Sequence, residues 1–208
     1  MHLTVTEIAE AVSARIVVAA CPETGVTSIT WDSRTVEAGS LYVAIAGERV
    51  DGHDFALDAV SAGARCVLIT HSLPDEAIAR AQELGAAILL VKDAQEAITD
   101  LARVWRGRLC GRVVGLTGSN GKTTTKNLVR DVLACAGSVT ATRGNQNNEL
   151  GVPNTLLSAD ADTQNVVVEM GMRGLGQIES LCDFVLPDWG LITNVGESHI
   201  ELLGSREN

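Results

Sequence analysis

Arg112-Val113-Val114-Gly115-Leu116-Thr117-Gly118-Ser119-Asn120-Gly121-Lys122-Thr123-Thr124-Thr125 decides how the rest of this 208-residue chain reads. An apolar run that reads as a buried strand opens into a loop bracketed by Gly118 and Gly121. Lys-Thr follows, and then a helical pattern marked by Leu128, Val129, Val132 and Leu133. Strand, glycine-rich loop and helix in that order suit a triphosphate. Glycines let backbone N–H groups turn onto phosphate oxygens, and the helix N-terminus adds its partial positive charge. The lysine supplies a point charge for the β- and γ-phosphates, and the hydroxyl after it can sit on Mg²⁺. The spacing departs from G-x-x-x-x-G-K-[ST], because Leu116 stands where the first glycine belongs.

Composition narrows the class of protein. Hydrophobic residues make up 46% and charged residues 20%, which describes a globular chain with a sizeable core. Aromatics at 3% leave little to stack on single-stranded nucleic acid, and a net charge of −10 repels a phosphate backbone, so no nucleic-acid partner is expected. Any anionic ligand must then be held locally. The five cysteines (Cys21, Cys66, Cys110, Cys135 and Cys182) form no C-x-x-C pair, which argues against metal knuckles and a disulfide framework. With no signal-like N-terminus and no membrane-length apolar run, a cytoplasmic protein without membrane insertion is expected.

Outward from the loop, the pattern alternates. Thr4 or Thr6 can cap a helix over 7–14, and β-type segments follow at 16–20, 25–31 and 40–46. A helix from Asp54 ends at Gly63, and a strand covers 65–70. Pro74 opens a helix that Gly85 closes, and a strand covers 86–91. Asp93 caps a helix to about Leu109, which leads into the phosphate-loop strand. A domain boundary is placed near 92–94. Beyond the loop helix come a strand over 138–142 and a polar loop, Arg143-Gly-Asn-Gln-Asn-Asn-Glu149. A helix from Val152, a strand over 165–170, a helix around 177–182 and a strand over 189–193 complete the pattern. Alternating strands and helices predict an α/β fold with right-handed crossovers and a mostly parallel sheet, whose ligands sit beyond the carboxyl ends of strands.

Three features fall at such ends: the phosphate loop, Glu169 after Val166-Val167-Val168, and Thr193-Asn194 after Leu191-Ile192. Glu169 near Thr123 could ligate Mg²⁺, which takes oxygen ligands and phosphate. His199 follows the next strand end. Two polar turns occur earlier, at Asp32-Ser33-Arg34 and around Asp51-Gly52-His53. Both are ordinary turn formers, and Arg34 could also grip a diphosphate.

Taken together, these motifs resemble the Mur ligases of peptidoglycan synthesis. The pieces are Asp32-Ser33-Arg34 with Gly39, Gly47-Glu-Arg-Val-Asp-Gly-His-Asp54, Thr117-Gly-Ser-Asn-Gly-Lys-Thr-Thr-Thr125 and Asn145-Gln-Asn-Asn-Glu-Leu-Gly-Val-Pro153. Val168-Glu-Met-Gly171 and Ile192-Thr-Asn-Val-Gly-Glu-Ser-His-Ile-Glu-Leu-Leu-Gly-Ser205 complete the set, in order along nearly the whole chain. The shortened phosphate loop is itself the form that this family uses. Folylpolyglutamate synthetases resemble it in the loop but usually carry Gly-Lys-Gly-Ser. Within the family, the Asn-Asn-Glu stretch and the Thr-Asn-Val-Gly before His199 look like the branch that joins D-alanyl-D-alanine to UDP-N-acetylmuramoyl-tripeptide.

The resemblance implies a small α/β domain over 1–93 that grips the UDP-muramoyl peptide, followed over 94–208 by an incomplete P-loop ATP-binding domain. Asp32, Ser33, Arg34, Asp51, Gly52 and His53 would face the uridine-diphosphate end. Gly118, Ser119, Asn120, Gly121, Lys122, Thr123 and Thr124 would cradle ATP. Thr123, Glu169 and His199 would hold Mg²⁺, and Lys122, Asn148, Glu149 and His199 would line the reacting centre. The implied reaction transfers a phosphoryl group from ATP to the tripeptide's terminal carboxylate, and the amine of D-alanyl-D-alanine then attacks the acyl phosphate. Mur ligases also carry a carbamylated lysine after the matching histidine and a third domain. No lysine follows Lys126, so an N-terminal piece of a longer ligase, inactive alone, is expected. A Mur-type ligase adding a different residue and a non-catalytic UDP-muropeptide-binding module stay open as alternatives.

Overall fold

The structure is a computed structural model that describes residues 1–21, 23–197 and 205. The chain forms two compact units, which divide between Leu101 and Ala102.

The first unit opens with β1 (Leu3–Thr4) and α1 (Val5–Ala11). Of the two candidate caps, Thr4 is the one used. Its hydroxyl accepts from the Glu7 N–H at 3.2 Å while Glu7 Oε2 accepts from the Thr4 N–H at 2.7 Å, so two otherwise orphaned helix donors are satisfied reciprocally. The strands β2 (Arg15–Val18), β3 (Gly25–Val26), β4 (Ser28–Thr30) and β5 (Ser40–Val43) follow. The single strand expected over 25–31 is in fact two. β3 pairs antiparallel with β1, whereas β4 joins β5 in a different sheet. The break falls at Thr27, whose N–H donates to the Gly39 carbonyl at 3.0 Å. Alternating side chains report a strand but not its partner, and β1 went unread for the same reason.

A turn of 3₁₀ helix over 52–55 leads into α2 (Ala56–Ser61), and then come β6 (Cys66–Ile69), α3 (Asp75–Leu84) and β7 (Ala87–Leu90). Gly85 ends α3 in the left-handed conformation, φ +66°, as expected of a glycine one step past a helix. The main sheet has the order β2-β7-β6-β5-β4 and is parallel except for the antiparallel edge strand β2. Every residue of β5 and β6 is buried. Tyr42, Val67, Ile69 and Ile88 pack with Ala56, Ala59 and Val60 of α2 and Ala77 and Ala81 of α3. The small helix residues let the helices lie close on the sheet. Cys66 of β6 is also fully buried, and burial pushes its thiol up to about 12.

Helix α4 (Ala94–Arg106) runs through the division between the units. It stops at Arg106 rather than Leu109, one residue before Gly107, a poor helix former. The second unit then reads β8 (Arg112–Thr117), α5 (Lys122–Ala134), β9 (Val139–Ala141), α6 (Gly151–Leu157), β10 (Asn165–Glu169), α7 (Gln177–Val185) and β11 (Trp189–Ile192). Its sheet, β11-β8-β10-β9, is wholly parallel. Val166, Val167 and Val168 of β10 are fully buried, each contributing roughly 1.5–3 kcal/mol. The chain leaves β8 toward β9 on one side and returns to β11 on the other. That reversal opens a crevice at the carboxyl end of β8, where such sheets bind ligands.

The start of β8 is fixed by close approach of two backbones. A Cβ on Gly111 would lie 2.0 Å from the Thr163 carbonyl oxygen and 2.5 Å from that of Gln164. Gly111→Ala is therefore expected to destabilise the chain by roughly 1–3 kcal/mol, read as a lower denaturation midpoint. Gly174→Ala, which adds its methyl to open space, should change stability by no more than about 0.5 kcal/mol.

Candidate nucleotide and diphosphate sites

In the second unit the carboxyl ends of three adjacent strands align. Leu116 of β8 is level with Glu169 of β10, and Thr117 with Ile192 of β11. The loop 118–121 rises from that rim, and the segment after β11 fastens it. Asn194 O accepts from the Ser119 N–H at 3.0 Å and its Oδ1 accepts from the Asn120 N–H at 3.1 Å. Thr193 Oγ1 donates to Asn120 O at 2.7 Å, and the Gly196 N–H donates to Ser119 Oγ at 2.8 Å. Gly118 has φ +134°, and a Cβ there would fall 2.1 Å from Thr193 Oγ1. Only glycine fits. Gly121, φ +79°, turns the chain into α5. Lys122 Nζ folds back on the loop and donates to Gly118 O at 2.6 Å.

Beside the loop, Glu169 is 1% exposed. Its Oε1 accepts from Thr123 Oγ1 at 3.2 Å and from Asn147 Nδ2 at 2.9 Å. Its backbone N–H donates to Thr142 Oγ1 at 2.9 Å. Lys126 Nζ stands 3.5 Å from Oε2, an ion pair with both side chains buried, and donates to Gly144 O at 2.7 Å. Among the described residues, Oε2 has no hydrogen-bond donor. A threonine hydroxyl, a carboxylate and one buried oxygen in need of a partner form a hard, all-oxygen donor set, which suits Mg²⁺. The structure thus brings the expected pair, Thr123 and Glu169, together.

The polar loop 143–149 divides differently from expectation. Asn147, not Asn148, reaches Glu169. Asn148 Oδ1 instead accepts from the Gly151 N–H at 2.9 Å at the start of α6, and Glu149 is exposed. His199 lies outside the described residues. Lys126 and Asn147 escaped the sequence reading. The one available signal for Lys126 was its position three residues beyond Thr123, on the same helical face.

In the first unit the two polar turns also follow parallel strands, β4 and β5. Asp32 accepts from the Arg34 N–H at 3.0 Å, Nε at 2.8 Å and a terminal nitrogen at 2.6 Å. Those bonds hold its carboxyl down at about 2. Arg34, 86% exposed at its side chain, is thereby committed to a carboxylate. Asp51 caps the 3₁₀ turn through the His53 N–H at 3.0 Å and also meets His53 Nδ1 at 2.6 Å, which keeps its carboxyl below the usual range. The Thr70 N–H donates to His53 Nε2 at 2.9 Å, so that nitrogen bears the lone pair and Nδ1 bears the proton. His71, after β6, stacks on His53 at 3.7 Å and reaches Asp51 Oδ2 at 3.3 Å. Asp51, His53 and His71 have metal-ligand types within 4.8 Å of one another. Both nitrogens of His53 are already engaged, however, so the trio reads as an oriented hydrogen-bonding wall. Gly52 is pressed against Ile45, where a Cβ would meet backbone at 2.7 Å. Tyr42 donates to Gly52 O at 2.8 Å, and its phenol is pushed up to about 12, first by burial and then by Asp32 and Asp51. The two turns therefore flank one phenol. His71 was missed because nothing in Thr70-His71 marks it locally.

Strand, glycine-bracketed loop and helix at a topological reversal define the second unit as a P-loop-type α/β domain. The comparisons with known proteins are narrower. Residues 116–208 match the Mur ligase middle domain, and residues 25–106 match the catalytic domain of the Mur ligase family. The chain belongs to the Mur ligase family. It is 44% identical, over 86% of its length, to a UDP-N-acetylmuramoyl-tripeptide–D-alanyl-D-alanine ligase of Synechocystis, of which it covers 38%. All of it superposes on 44% of MurF from Acinetobacter baumannii, with a TM-score of 0.86 and 31% identity. It is also similar to the MurF ligase of Thermotoga maritima solved in complex with ADP, with a TM-score of 0.71 and 35% identity over 86% of this chain and 40% of that one. The chain thus spans less than half the length of these relatives.

The Asp32–Arg34 pair gives a pH prediction. Because the folded carboxyl titrates below its ordinary value of 3.8, its stabilising effect is present above that value and is lost as pH falls toward 2. Carboxyl-selective NMR titration should place the Asp32 midpoint near 2. Arg34→Gln should raise it, with the remaining bond from the N–H of residue 34 still holding it below the ordinary value.

Proposed function

We propose that this chain supplies the sugar-nucleotide-binding and ATP-binding parts of a cytoplasmic ligase that joins D-alanyl-D-alanine to UDP-N-acetylmuramoyl-tripeptide. The observation that carries the proposal is Thr123, the hydroxyl beside the loop lysine, bonded at 3.2 Å to the buried carboxylate of Glu169. The family and the names of its relatives supply the substrate classes. Residues 1–93 form the substrate domain on this reading, and residues 94–208 belong to the ATP domain.

Each residue then has a role. The N–H groups of the loop 118–121 and the start of α5 would meet phosphate oxygens, with Asn194 and Thr193 holding the loop in shape. Lys122 would exchange its bonds to the Gly118 and Ser119 carbonyls for the β- and γ-phosphates. Thr123 and Glu169, with His199, would hold Mg²⁺, which supplies charge neutralisation on the phosphoryl oxygens. Asn147 orients Glu169, while Asn148 and Glu149 line the same loop. Ser33, Asp51, Gly52 and His53 would receive the uridine-diphosphate end. Positioning and electrostatics carry such a transfer, because the protein itself forms no covalent bond in it. The terminal carboxylate of the tripeptide would take the γ-phosphoryl group and release ADP. The amine of D-alanyl-D-alanine would then displace phosphate from the acyl phosphate to form the amide.

Calorimetric titration of the chain with ADP and Mg²⁺ should show one site. Lys122→Met should weaken it by about 1.5–3 kcal/mol, the value of a hydrogen bond to a charged group. UDP-N-acetylmuramoyl-tripeptide should bind more tightly than the corresponding dipeptide, and equal binding of the two would remove the assignment of the tripeptide.

A further inference from the structure

We infer that Lys126 is a built-in counter-ion for Glu169, one that keeps the site from taking up a divalent cation until nucleotide phosphates arrive with it. The inference rests on the nucleotide reading above and adds to it the order of entry. Lys126 lies one helical turn beyond Lys122, yet the residue is buried and its ammonium is directed at Gly144 O and Glu169 Oε2. Lys122 serves the loop. Lys126 serves the carboxylate.

An ammonium withdrawn from water needs a charged or strongly polar partner, and Lys126 has both kinds, at 3.5 Å and 2.7 Å. The consequence for a cation follows from charge. The carboxylate beside Thr123 carries one negative charge, and the ammonium at 3.5 Å cancels it. A dication at Oε2 alone would meet a neutral pair and an adjacent positive charge. With phosphate oxygens added, the site becomes strongly negative and accepts it. Lys126 also ties the loop bearing Asn147 through Gly144 O, so the orientation of Glu169 Oε1 and the charge at Oε2 are set from one side chain. A merely structural lysine and a counter-ion predict opposite results on removal. The first can only weaken cation binding, whereas the second strengthens it in the absence of nucleotide.

The test measures Mn²⁺ binding by electron paramagnetic resonance on the 208-residue chain, with and without ADP. The unaltered chain should bind Mn²⁺ weakly alone and tightly with ADP. Lys126→Met should bind Mn²⁺ alone about tenfold or more tightly than the unaltered chain, as loss of one nearby charge requires. Lys126→Arg should behave as the unaltered chain, and adding Glu169→Gln to Lys126→Met should abolish the gain. Tight Mn²⁺ binding by the unaltered chain without ADP would overturn the inference, and this arm needs no variant to fold. A cooperatively melting Lys126→Met chain with no gain, beside an unaltered chain that binds ADP with Mg²⁺, would overturn the counter-ion role alone. Failure of the unaltered chain to bind ADP at all would overturn the nucleotide reading and this inference together.

Discussion

The buried carboxylate of Glu169 is the constraint around which the second unit is arranged. Its desolvation would be prohibitive for a lone ion. Two elements meet that demand at the carboxylate: α5 through Thr123 and Lys126, and the loop after β9 through Asn147, while Thr142, just past β9, accepts from the Glu169 backbone N–H. Breaking such a pair from one side costs about 3–5 kcal/mol, because the other charge stays buried alone. A chain selected only for stability would fill this position with a hydrophobe, as it does at Val166, Val167 and Val168 directly before it. An ion pair where an apolar residue would pack points to a requirement for charge at that point of the rim.

The loop beside it shows the complementary constraint, which is steric. Gly118 cannot carry a side chain because Thr193 occupies the space, and Thr193 is there because β11 is in register with β8. The register of a parallel sheet thereby fixes the backbone of a ligand loop. The bonds from Thr193, Asn194 and Gly196 preorganise the loop's donors, which lowers the ordering cost of binding an anion.

Local motifs were legible because their information is local. The phosphate loop, the Gly85 stop and the turn at Asp51 each depend on a few consecutive residues. So does the alternation that predicts a mostly parallel α/β fold. What escaped depends on partners distant in sequence. Lys126 looks like any surface lysine on an amphipathic helix until β10 places Glu169 against it. Asn147 and Asn148 are indistinguishable in a polar run until α6 starts at Gly151, whose N–H donates to Asn148 Oδ1. His71 acquires a role only when β6 ends beside the Asp51 turn, and the break at Thr27 only when β3 finds β1.

An acidic chain with a net charge of −10 could hold phosphates only by creating positive potential locally, and its two units differ in this. In the second, an open helix N-terminus and Lys122 face the loop, with loop carbonyls as the lysine's partners. Carbonyls are dipoles, so the full charge of the ammonium remains to act on an anion. In the first, Arg34 is locked to the ionised Asp32, and the pair presents almost no net charge. On the proposed reading, recognition there would rest on the placement of donors and acceptors, such as the His53 tautomer that Asp51 and Thr70 enforce. Hydrogen-bond placement discriminates among ligands more sharply than charge does, since a mismatched group leaves a desolvated partner unpaired. The division of labour follows from chemistry. On the proposed reading, a triphosphate common to many proteins would be gripped by field, and a particular sugar nucleotide would be selected by geometry.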